Sequence, residues 1–337
     1  MNDLAAHINE AAHRLVQGQL VAFPTETVYG LGADASNPQA VAAIFHAKGR
    51  PANHPVIVHV APDANLLHWV AQVPPEAQQL IDAFWPGPLT LILPRASQAS
   101  AAVSGGQDTI GVRCPSHPVA QALLKRFAQL KGPDQPAGVA APSANRFGQV
   151  SPTQAQHVRH EFPHLGADAL YVLAGGNADV GIESTIVDVS RLDQGVAPVI
   201  LRPGHITAAQ IEAVLGQPLG HSAQTTTTPR VSGSLKAHYA PRTPLYLKTR
   251  AQIEALTDRN AVAVVFDERV QTQAHVYLAP SLAEHYASQL YAMLRQLDEQ
   301  HYSAIYLERP PQISEWEAIN DRIGRAAAAF DPTGNNA

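Results

Sequence analysis

Two cations and a short polar stretch near the start of the chain have types and spacing that could bind an anion. Lys48 and Arg50 follow a predicted helix, two residues apart. Upstream, Thr25–Thr27 follows a short apolar run, at the strand end where open α/β sheets hold their ligands. The order of strand, polar turn, helix, cationic loop and strand therefore predicts a site for an anion such as a phosphate.

Local signals place the elements around this stretch. Asn37 is a good N-cap, Pro38 suits the first helical position, and Gly49 is a helix stop. The apolar runs 20–23 and 56–60 are typical of short buried strands. Residues 30–32, Gly-Leu-Gly, are expected to let the backbone turn sharply or approach a ligand closely.

Three interpretations of the stretch compete. In the simplest, the glycines make a tight turn and the cations are solvated, as is common for loop Lys and Arg. Residues 30–35 also fit G-x-G-x-x-A, but Asn53, His54 and Pro55 stand where a dinucleotide site needs an acidic residue. The third is a phosphate or nucleotide site clamped by Lys48 and Arg50. It would not be a P-loop, because no G-x-x-x-x-G-K-[ST] occurs.

Composition narrows the class of protein. The 337 residues suffice for about two domains, and 45% hydrophobic with 15% charged residues is typical of compact soluble proteins. A net charge of −5 argues against a general polyanion binder. The single cysteine, Cys114, excludes an internal disulfide and favours a reduced cytoplasm. The N-terminal residues form an amphipathic helix pattern rather than a signal peptide, and no apolar run is long enough for a membrane span.

The order of predicted elements indicates two domains and a linker. Strand and helix patterns alternate through residues 1–216 and again through 243–337, where a small Rossmann-like α/β domain is expected without a catalytic cluster. The stretch 217–242 has linker composition, including the run Thr225–Thr228, yet its end is rich in groups that could contact a ligand. We expect this linker to form a lid over the site.

Other residues of the chain have expected roles of their own. Arg113 lies inside an apolar run and is expected to be paired and partly buried, Cys114 to be a core or edge residue, and Ser151–Thr153 to cap the next helix. Glu26 could bind magnesium, act as a base, or make structural hydrogen bonds. A surface position is favoured over a metal site for His157 and His160, and a functional role over packing for His238 and Tyr239.

Eight short motifs in order resemble the YrdC-like family. They are PTETVYGLG, KGR followed by NHP, WPGPLT, GVRCP, SAN, GIEST, LRPG and HYAP. The last motif and the trailing α/β pattern are similar to the longer, two-domain members, the threonylcarbamoyl-AMP synthases. Two features differ: the linker reads VSGSLKAHYAP without the Pro-Gly-Met of some relatives, and residues 191–195 lengthen a loop before LRPG.

The resemblance implies a fold and a reaction. The fold is a twisted, mixed α/β sheet with a basic concave face, followed by the smaller α/β domain. The reaction joins L-threonine, bicarbonate or CO₂, and ATP into threonylcarbamoyl-adenylate and releases pyrophosphate, with Mg²⁺ as the expected ion. A downstream threonylcarbamoyl transferase complex would move the group to transfer RNA, to which the chain itself could make a weak contact.

The resemblance also implies the site residues, with no metal ligated directly by a side chain. The family's K-x-R and S-x-N hallmarks, expected to be catalytic, fall on Lys48, Arg50, Ser143 and Asn145. ATP contacts are expected from Arg50, His54, Thr109, Ser143, Ser151, Arg202 and Ser232. The threonine pocket is expected to comprise Thr27, His59, Arg113, Ala141 and Ser184.

Two alternatives remain at this point. A non-enzymatic RNA-binding or ribosome-associated module would use the same basic concavity, but the negative net charge argues against it. A carbamoyl-adenylate step of another pathway would be fused to acylphosphatase and zinc-finger sequences, which this chain lacks.

Overall fold

A computed structural model describes residues 2–220 and 228–331, and the chain forms two compact units. The first unit comprises Met1–Phe147, Pro152–Asp179 and Glu183–Ser234; the second comprises Gly148–Ser151, Val180–Ile182 and Leu235–Ala337. Most of the threonine run in the predicted linker, residues 225–227, lies outside the described residues.

The first unit is built on a mixed sheet. Its helices are α1 (Asn2–Val16), α2 (Pro38–Lys48), α3 (Pro75–Phe84), α4 (Ala101–Ser104), α5 (Pro118–Lys131), α6 (Ala155–Glu161) and α7 (Ala208–Leu215). Its strands are β1 (Leu20–Phe23), β2 (Gly30–Asp34), β3 (Ile57–His59), β4 (Leu89–Pro94), β5 (Thr109–Arg113), β6 (Val139–Ala140), β7 (Leu170–Val172), β8 (Thr185–Asp188) and β9 (Val199–Arg202). The strand order is β7-β1-β2-β6-β3-β5-β4-β8-β9. The pairs β1/β7, β3/β5 and β4/β8 are parallel and the others antiparallel, which confirms the predicted mixed sheet.

The ends of α2 confirm the local prediction. The Asn37 side chain accepts hydrogen bonds from the backbone N–H groups of Gln39 and Ala40, so two donors of the first turn are satisfied. Gly49 has φ of 63° and ends the helix in the left-handed conformation. This ending turns the chain so that Lys48 is the last helical residue and Arg50 begins the loop.

The predicted glycine turn is wrong, because residues 30–34 form strand β2. It pairs antiparallel with β1, and Val21 lies opposite Gly32. A Cβ atom at Gly32 would lie 2.8 Å from side-chain atoms of both Phe23 and Val139. Glycine is needed here for close packing rather than for a turn.

Two further local predictions differ from the structure. Helix α6 begins at Ala155 with Gln154 as its N-cap and no side-chain cap bond, so Ser151–Thr153 does not cap it. His157 is buried rather than on a surface face, and its Nδ1 accepts a hydrogen bond from the Thr153 N–H at 3.3 Å. The cap prediction fails because the chain continues extended for one residue more than the sequence pattern suggests.

The second unit is the expected small parallel α/β domain. Its elements are β10 (Leu245–Lys248), α8 (Arg250–Glu254), β11 (Val262–Val265), β12 (His275–Leu278), α9 (Ala283–Glu299), β13 (Ile305–Glu308) and α10 (Glu317–Ala328). The strand order is β10-β13-β11-β12, with every pair parallel. Tyr239 is 1% exposed and its ring stacks on Tyr291 at 5.8 Å, so this residue packs within the unit.

Helices of the described residues are all too short or too polar to cross a membrane.

Candidate active site

A buried arginine organises one part of the candidate site. Arg113 ends β5 and is 3% exposed. Its Nε donates to the Gly87 carbonyl at 3.3 Å and its Nη1 donates to Thr27 Oγ1 at 2.9 Å. Its Nη2 lies 2.6 Å from a carboxylate oxygen of Glu26. The expectation that Arg113 is paired is confirmed, and Glu26 is the charged partner.

The polar turn after β1 presents a fixed hydroxyl to Arg113. Thr25 Oγ1 donates to the Val28 carbonyl at 2.6 Å and lies 2.9 Å from Thr27 Oγ1. Since each hydroxyl has one proton, Thr27 Oγ1 donates to Thr25 and accepts from Arg113. The remaining lone pair of Thr27 is therefore suited to accept a hydrogen bond from a ligand hydroxyl or amine.

His59 lies opposite Arg113 in the sheet. Strands β3 and β5 are parallel, and their register pairs His59 with Arg113. Burial, and then the neighbouring Arg113 guanidinium, lower the pKa of His59 from 6.5 to about 3. The imidazole is therefore neutral at ordinary pH and can serve as a hydrogen-bonding group without adding charge.

Lys48 fixes the loop that carries Ser143 and Asn145. Its Nζ donates to the Ser143 carbonyl at 2.6 Å and to the Asn145 carbonyl at 2.5 Å. Loss of solvation on burial, and then repulsion from Arg50, lower the pKa of Lys48. Two of the three ammonium protons are committed to this loop, so Lys48 positions the backbone of the predicted S-x-N hallmark.

Two arginines converge on Ser232. Arg50 Nη2 donates to Ser232 Oγ at 3.1 Å and to the Pro55 carbonyl at 2.8 Å. Arg202 Nη1 donates to the Ser232 carbonyl at 2.9 Å, while its Nη2 donates to the carbonyl and hydroxyl oxygens of Ser184 at 2.9 and 3.1 Å. A neutral serine thus bonds two guanidinium groups that would both attract phosphate oxygens.

An apolar contact joins the same segment to the sheet. Val231 is 6% exposed and packs against Ile92 and Ile186. Thr109 and Gly111 of β5 line a gap of about 10 Å³ beside Val231. The ring of His54 makes an edge-to-face contact with that of Phe147, with the ring centres 5.4 Å apart. Burial, and then the positive charge of Arg50, lower the pKa of His54.

The first unit therefore contains all but one of the predicted site residues. Ala141, the fifth predicted threonine-pocket residue, follows β6, and its N–H bonds the Ile57 carbonyl at 2.9 Å. Ser151 belongs to the second unit, where its carbonyl accepts from Arg295 Nε at 3.4 Å. A separate cavity of about 530 Å³ beside β7, lined by His7, Arg159 and Tyr171 among others, contains none of the predicted residues. Clustered charge, rather than cavity size, locates the candidate site.

Besides Glu26, two contributors lie outside the predicted set. Thr90 Oγ1 lies 2.8 Å from Ser184 Oγ and so orients that hydroxyl. The ring of Phe147 lies 5.9 Å from the Arg50 guanidinium carbon and limits the directions open to it. The WPGPLT motif pointed to Thr90, whereas no sequence signal distinguished Phe147 from an ordinary apolar residue.

The described side chains include no metal-binding cluster of acidic, histidine and cysteine residues. Among the described residues no group of three or more His, Cys, Asp or Glu side chains could hold an ion. Cys114 is 1% exposed, and burial raises its pKa to about 12, so its thiol is a neutral core group. The guanidinium groups of Arg50 and Arg202 in this region suit an anion.

Comparison with known families gives two matches along the chain. Residues 13–204 match the Sua5, YciO and YrdC family model, which carries the description telomere recombination. Residues 206–328 match the model described as the threonylcarbamoyl-AMP synthase C-terminal domain.

Relatives align with nearly the whole chain. Threonylcarbamoyl-AMP synthase of Pyrococcus abyssi is 35% identical over 334 residues, covering 95% of this chain and 94% of the relative. The Bacillus subtilis protein of the same name is 38% identical over 337 residues, covering 95% and 92%. The crystal structure of P. abyssi Sua5 complexed with L-threonine is similar with a TM-score of 0.83 and 33% identity, covering 96% and 94%.

Proposed function

This chain belongs to the Sua5, YciO and YrdC family, and from that premise we propose that it is a nucleotidyltransferase that makes L-threonylcarbamoyl-adenylate. Its substrates are L-threonine, CO₂ or bicarbonate, and ATP, and it releases pyrophosphate. The product serves a threonylcarbamoyl transferase complex that modifies the adenosine beside the anticodon of certain transfer RNAs. The full-length relatives that carry the synthase name support this assignment.

One observation carries the proposal on the side of structure. Within the first unit, strand β4 pairs with β5, which ends at Arg113, and with β8, which begins directly after Ser184. Arg202 bonds both Ser184 and Ser232, and Arg50 also bonds Ser232, so a cationic region extends from Ser184 to Arg50. Arg113 offers a planar fork of the kind that recognises a carboxylate. Arg50 and Arg202 supply the charge that a triphosphate requires. A synthase needs both kinds of site side by side, since it joins an amino acid to a nucleotide.

The reaction has two bond-forming steps. The amine of threonine attacks CO₂ and becomes a carbamate. A carbamate oxygen then attacks the α-phosphorus of ATP, and the bond to pyrophosphate breaks. Negative charge rises on the phosphate and on the departing pyrophosphate, so fixed guanidinium groups stabilise the transition state. No covalent attachment to the protein is required.

We assign Arg113 and several neutral groups around it to the threonine pocket. Arg113 would hold the carboxylate, and Thr27, whose proton is committed to Thr25, would accept from the substrate. Neutral His59 would provide a hydrogen bond near the hydroxyl without competing for the carboxylate. We assign Ala141 to the wall of the pocket and Ser184 to its boundary with Arg202.

Magnesium is expected to arrive with ATP rather than to reside on the protein. Mg²⁺ commonly binds substrate phosphates and keeps several waters. In this chain the residues that act are Arg50, Arg202 and the loop that Lys48 holds.

The segment 228–234 is proposed to cover the nucleotide. Ser232 bonds both arginines and Val231 packs on the sheet, so a triphosphate that reached Arg50 and Arg202 would exchange with Ser232. Closing the segment afterwards would exclude water from an adenylate that hydrolyses readily. Covering and uncovering this region is thus part of the proposed cycle.

The activity is tested with purified protein, ATP, magnesium, bicarbonate and labelled threonine, with rapid separation of the nucleotide products. A threonine-labelled adenylate should form only when bicarbonate is supplied. L-Serine should react about tenfold less efficiently, because a pocket for the threonine methyl group gains ~1 kcal/mol or more from it. ATP turnover that is independent of threonine and bicarbonate would refute the assignment.

A further inference from the structure

Glu26 is a buried carboxylate with unused hydrogen-bonding capacity. Its side chain is 7% exposed and lies in the polar turn after β1. The distance to Arg113 Nη2 is 2.6 Å, yet the N–H does not point at the oxygen, so the pair is a charge contact. Within residues 2–220 and 228–331, neither Glu26 oxygen accepts a hydrogen bond of good geometry.

Another buried acid of the same unit shows what a structural carboxylate looks like here. Asp188 has a side chain that is 1% exposed and pairs with Arg191 at 2.8 Å. Its oxygens also accept from the N–H and the hydroxyl of Ser190 at 2.9 and 2.6 Å. Buried carboxylates are usually satisfied in this way. Glu26 differs because neither of its buried oxygens accepts a hydrogen bond from the described residues, although one lies 2.6 Å from Arg113 Nη2.

A guanidinium beside a carboxylate matches an α-amino acid. The substrate carries a carboxylate and an ammonium group on one carbon, so it needs one cation and one anion side by side. Arg113 supplies the cation, and Glu26 is the adjacent anion. Binding of the zwitterion would replace the single Arg113–Glu26 contact by two charge pairs.

We propose that Glu26 binds the substrate ammonium group and accepts its proton when the carbamate forms. This inference rests on the proposed function. An ammonium nitrogen has no lone pair, so one proton must leave before the C–N bond can form. That proton passes to a Glu26 oxygen, and the freed lone pair attacks CO₂. The second N–H proton leaves to water after the bond has formed, which gives the carbamate and a neutral Glu26.

Among the described residues, Arg113 is the charged side chain that contacts Glu26. Cys114 and His117 interact with it electrostatically, but burial raises the pKa of Cys114 to about 12 and burial lowers the pKa of His117. Near neutral pH both are uncharged, as is His59 beside Arg113. An ammonium group would give the carboxylate a second cation beside Arg113.

The test is the pH dependence of kcat/KM for threonine in Glu26→Gln. At pH 7 we expect a loss of ~10²-fold or more, as for removal of a general base. Between pH 7 and the pKa of the substrate amine the parent enzyme should stay at a plateau, whereas the variant should gain about tenfold per pH unit over the same range. Glu26→Asp should recover part of the loss. Asp188→Asn, which breaks a buried pair outside the pocket, should lower stability and keep the parent's pH profile.

A second measurement does not depend on the variant's folding. The unaltered protein should bind L-threonine at least tenfold more tightly than 3-hydroxybutanoate, which has the same carboxylate and hydroxyl but lacks the amine. Equal binding of the two, or an unchanged pH profile in Glu26→Gln, overturns the role of Glu26. If the parent protein makes no adenylate at all, the proposed function fails instead, so the two failures are distinguishable.

Discussion

Acidification should destabilise the first unit through His59. Burial and Arg113 hold the folded pKa at about 3, whereas the ordinary value is 6.5. Above pH 6.5 the imidazole is neutral in both states and has no effect on the pH dependence of folding. As the pH falls from 6.5 to about 3, the unfolded chain binds a proton that the folded unit refuses, so stability is lost.

The magnitude follows from the two pKa values. Each unit of difference corresponds to about 1.4 kcal/mol, so the full loss approaches about 5 kcal/mol at low pH. Between pH 7 and pH 5 the loss attributable to His59 is about 2 kcal/mol, because only the unfolded state titrates in that window. A change of this size is a large fraction of the stability of a typical domain.

The assay compares two proteins by urea unfolding at both pH values. Both carry Trp316→Phe, which leaves Trp69 and Trp85 of the first unit as fluorescent reporters. Replacing His59 by Gln removes the titrating group. This variant should lose about 2 kcal/mol less than its parent between pH 7 and pH 5.

The control replaces the exposed His205 by Gln and is measured in the same way. Equal losses in the His59→Gln protein and its parent would show that the imidazole is solvated or already charged in the folded state. In both cases the argument for a buried, neutral His59 in the proposed threonine pocket would fail.

Two further predictions concern the cations and the cover. Arg50→Ala should lower adenylate formation by ~10²-fold with little change in stability, as expected for a preorganised charge that acts on phosphate. Lys48→Ala should lower both adenylate formation and stability. Its free energy of unfolding should fall by about 1–3 kcal/mol, because the Ser143 and Asn145 carbonyls lose their donor. Unfolding curves and rates that fail to separate the two variants would contradict these roles. Tryptic cleavage after Arg230 should slow when ATP and threonine are added together, as ligands order the covering segment. Identical cleavage rates with and without ligands would argue against the cover.

The sequence predicted local structure correctly where the interacting atoms are close together in the chain. Asn37 and Gly49 set the ends of α2, and both were identified from residue type alone. Strand β2 was missed because Gly-Leu-Gly reads as a turn. Position 32 requires glycine because the side chains of Phe23 and Val139, on two other strands, pack against it. The sequence pattern does not show which strands are neighbours.

The candidate site shows the same division. The types of Lys48, Arg50 and Arg113 indicated an anion site, but their partners could not be inferred from spacing. Lys48 bonds carbonyl groups 95 and 97 residues away, and Arg50 bonds Ser232 at a separation of 182 residues. These pairings depend on the strand order of the sheet, which the linear pattern does not encode.

The second unit is assembled from three separate segments of the chain, and this bears on how such a protein can change during evolution. Gly148–Ser151 and Val180–Ile182 belong to it although they interrupt the sequence of the first unit. The N–H of Ala240 bonds the Gly148 carbonyl at 3.0 Å, and a Cβ atom at Gly181 would lie 2.4 Å from the Cα of Ser288. A gene shortened at the linker would leave both pieces without these neighbours. We therefore expect loss or gain of the second unit to be accompanied by substitutions in these two internal segments.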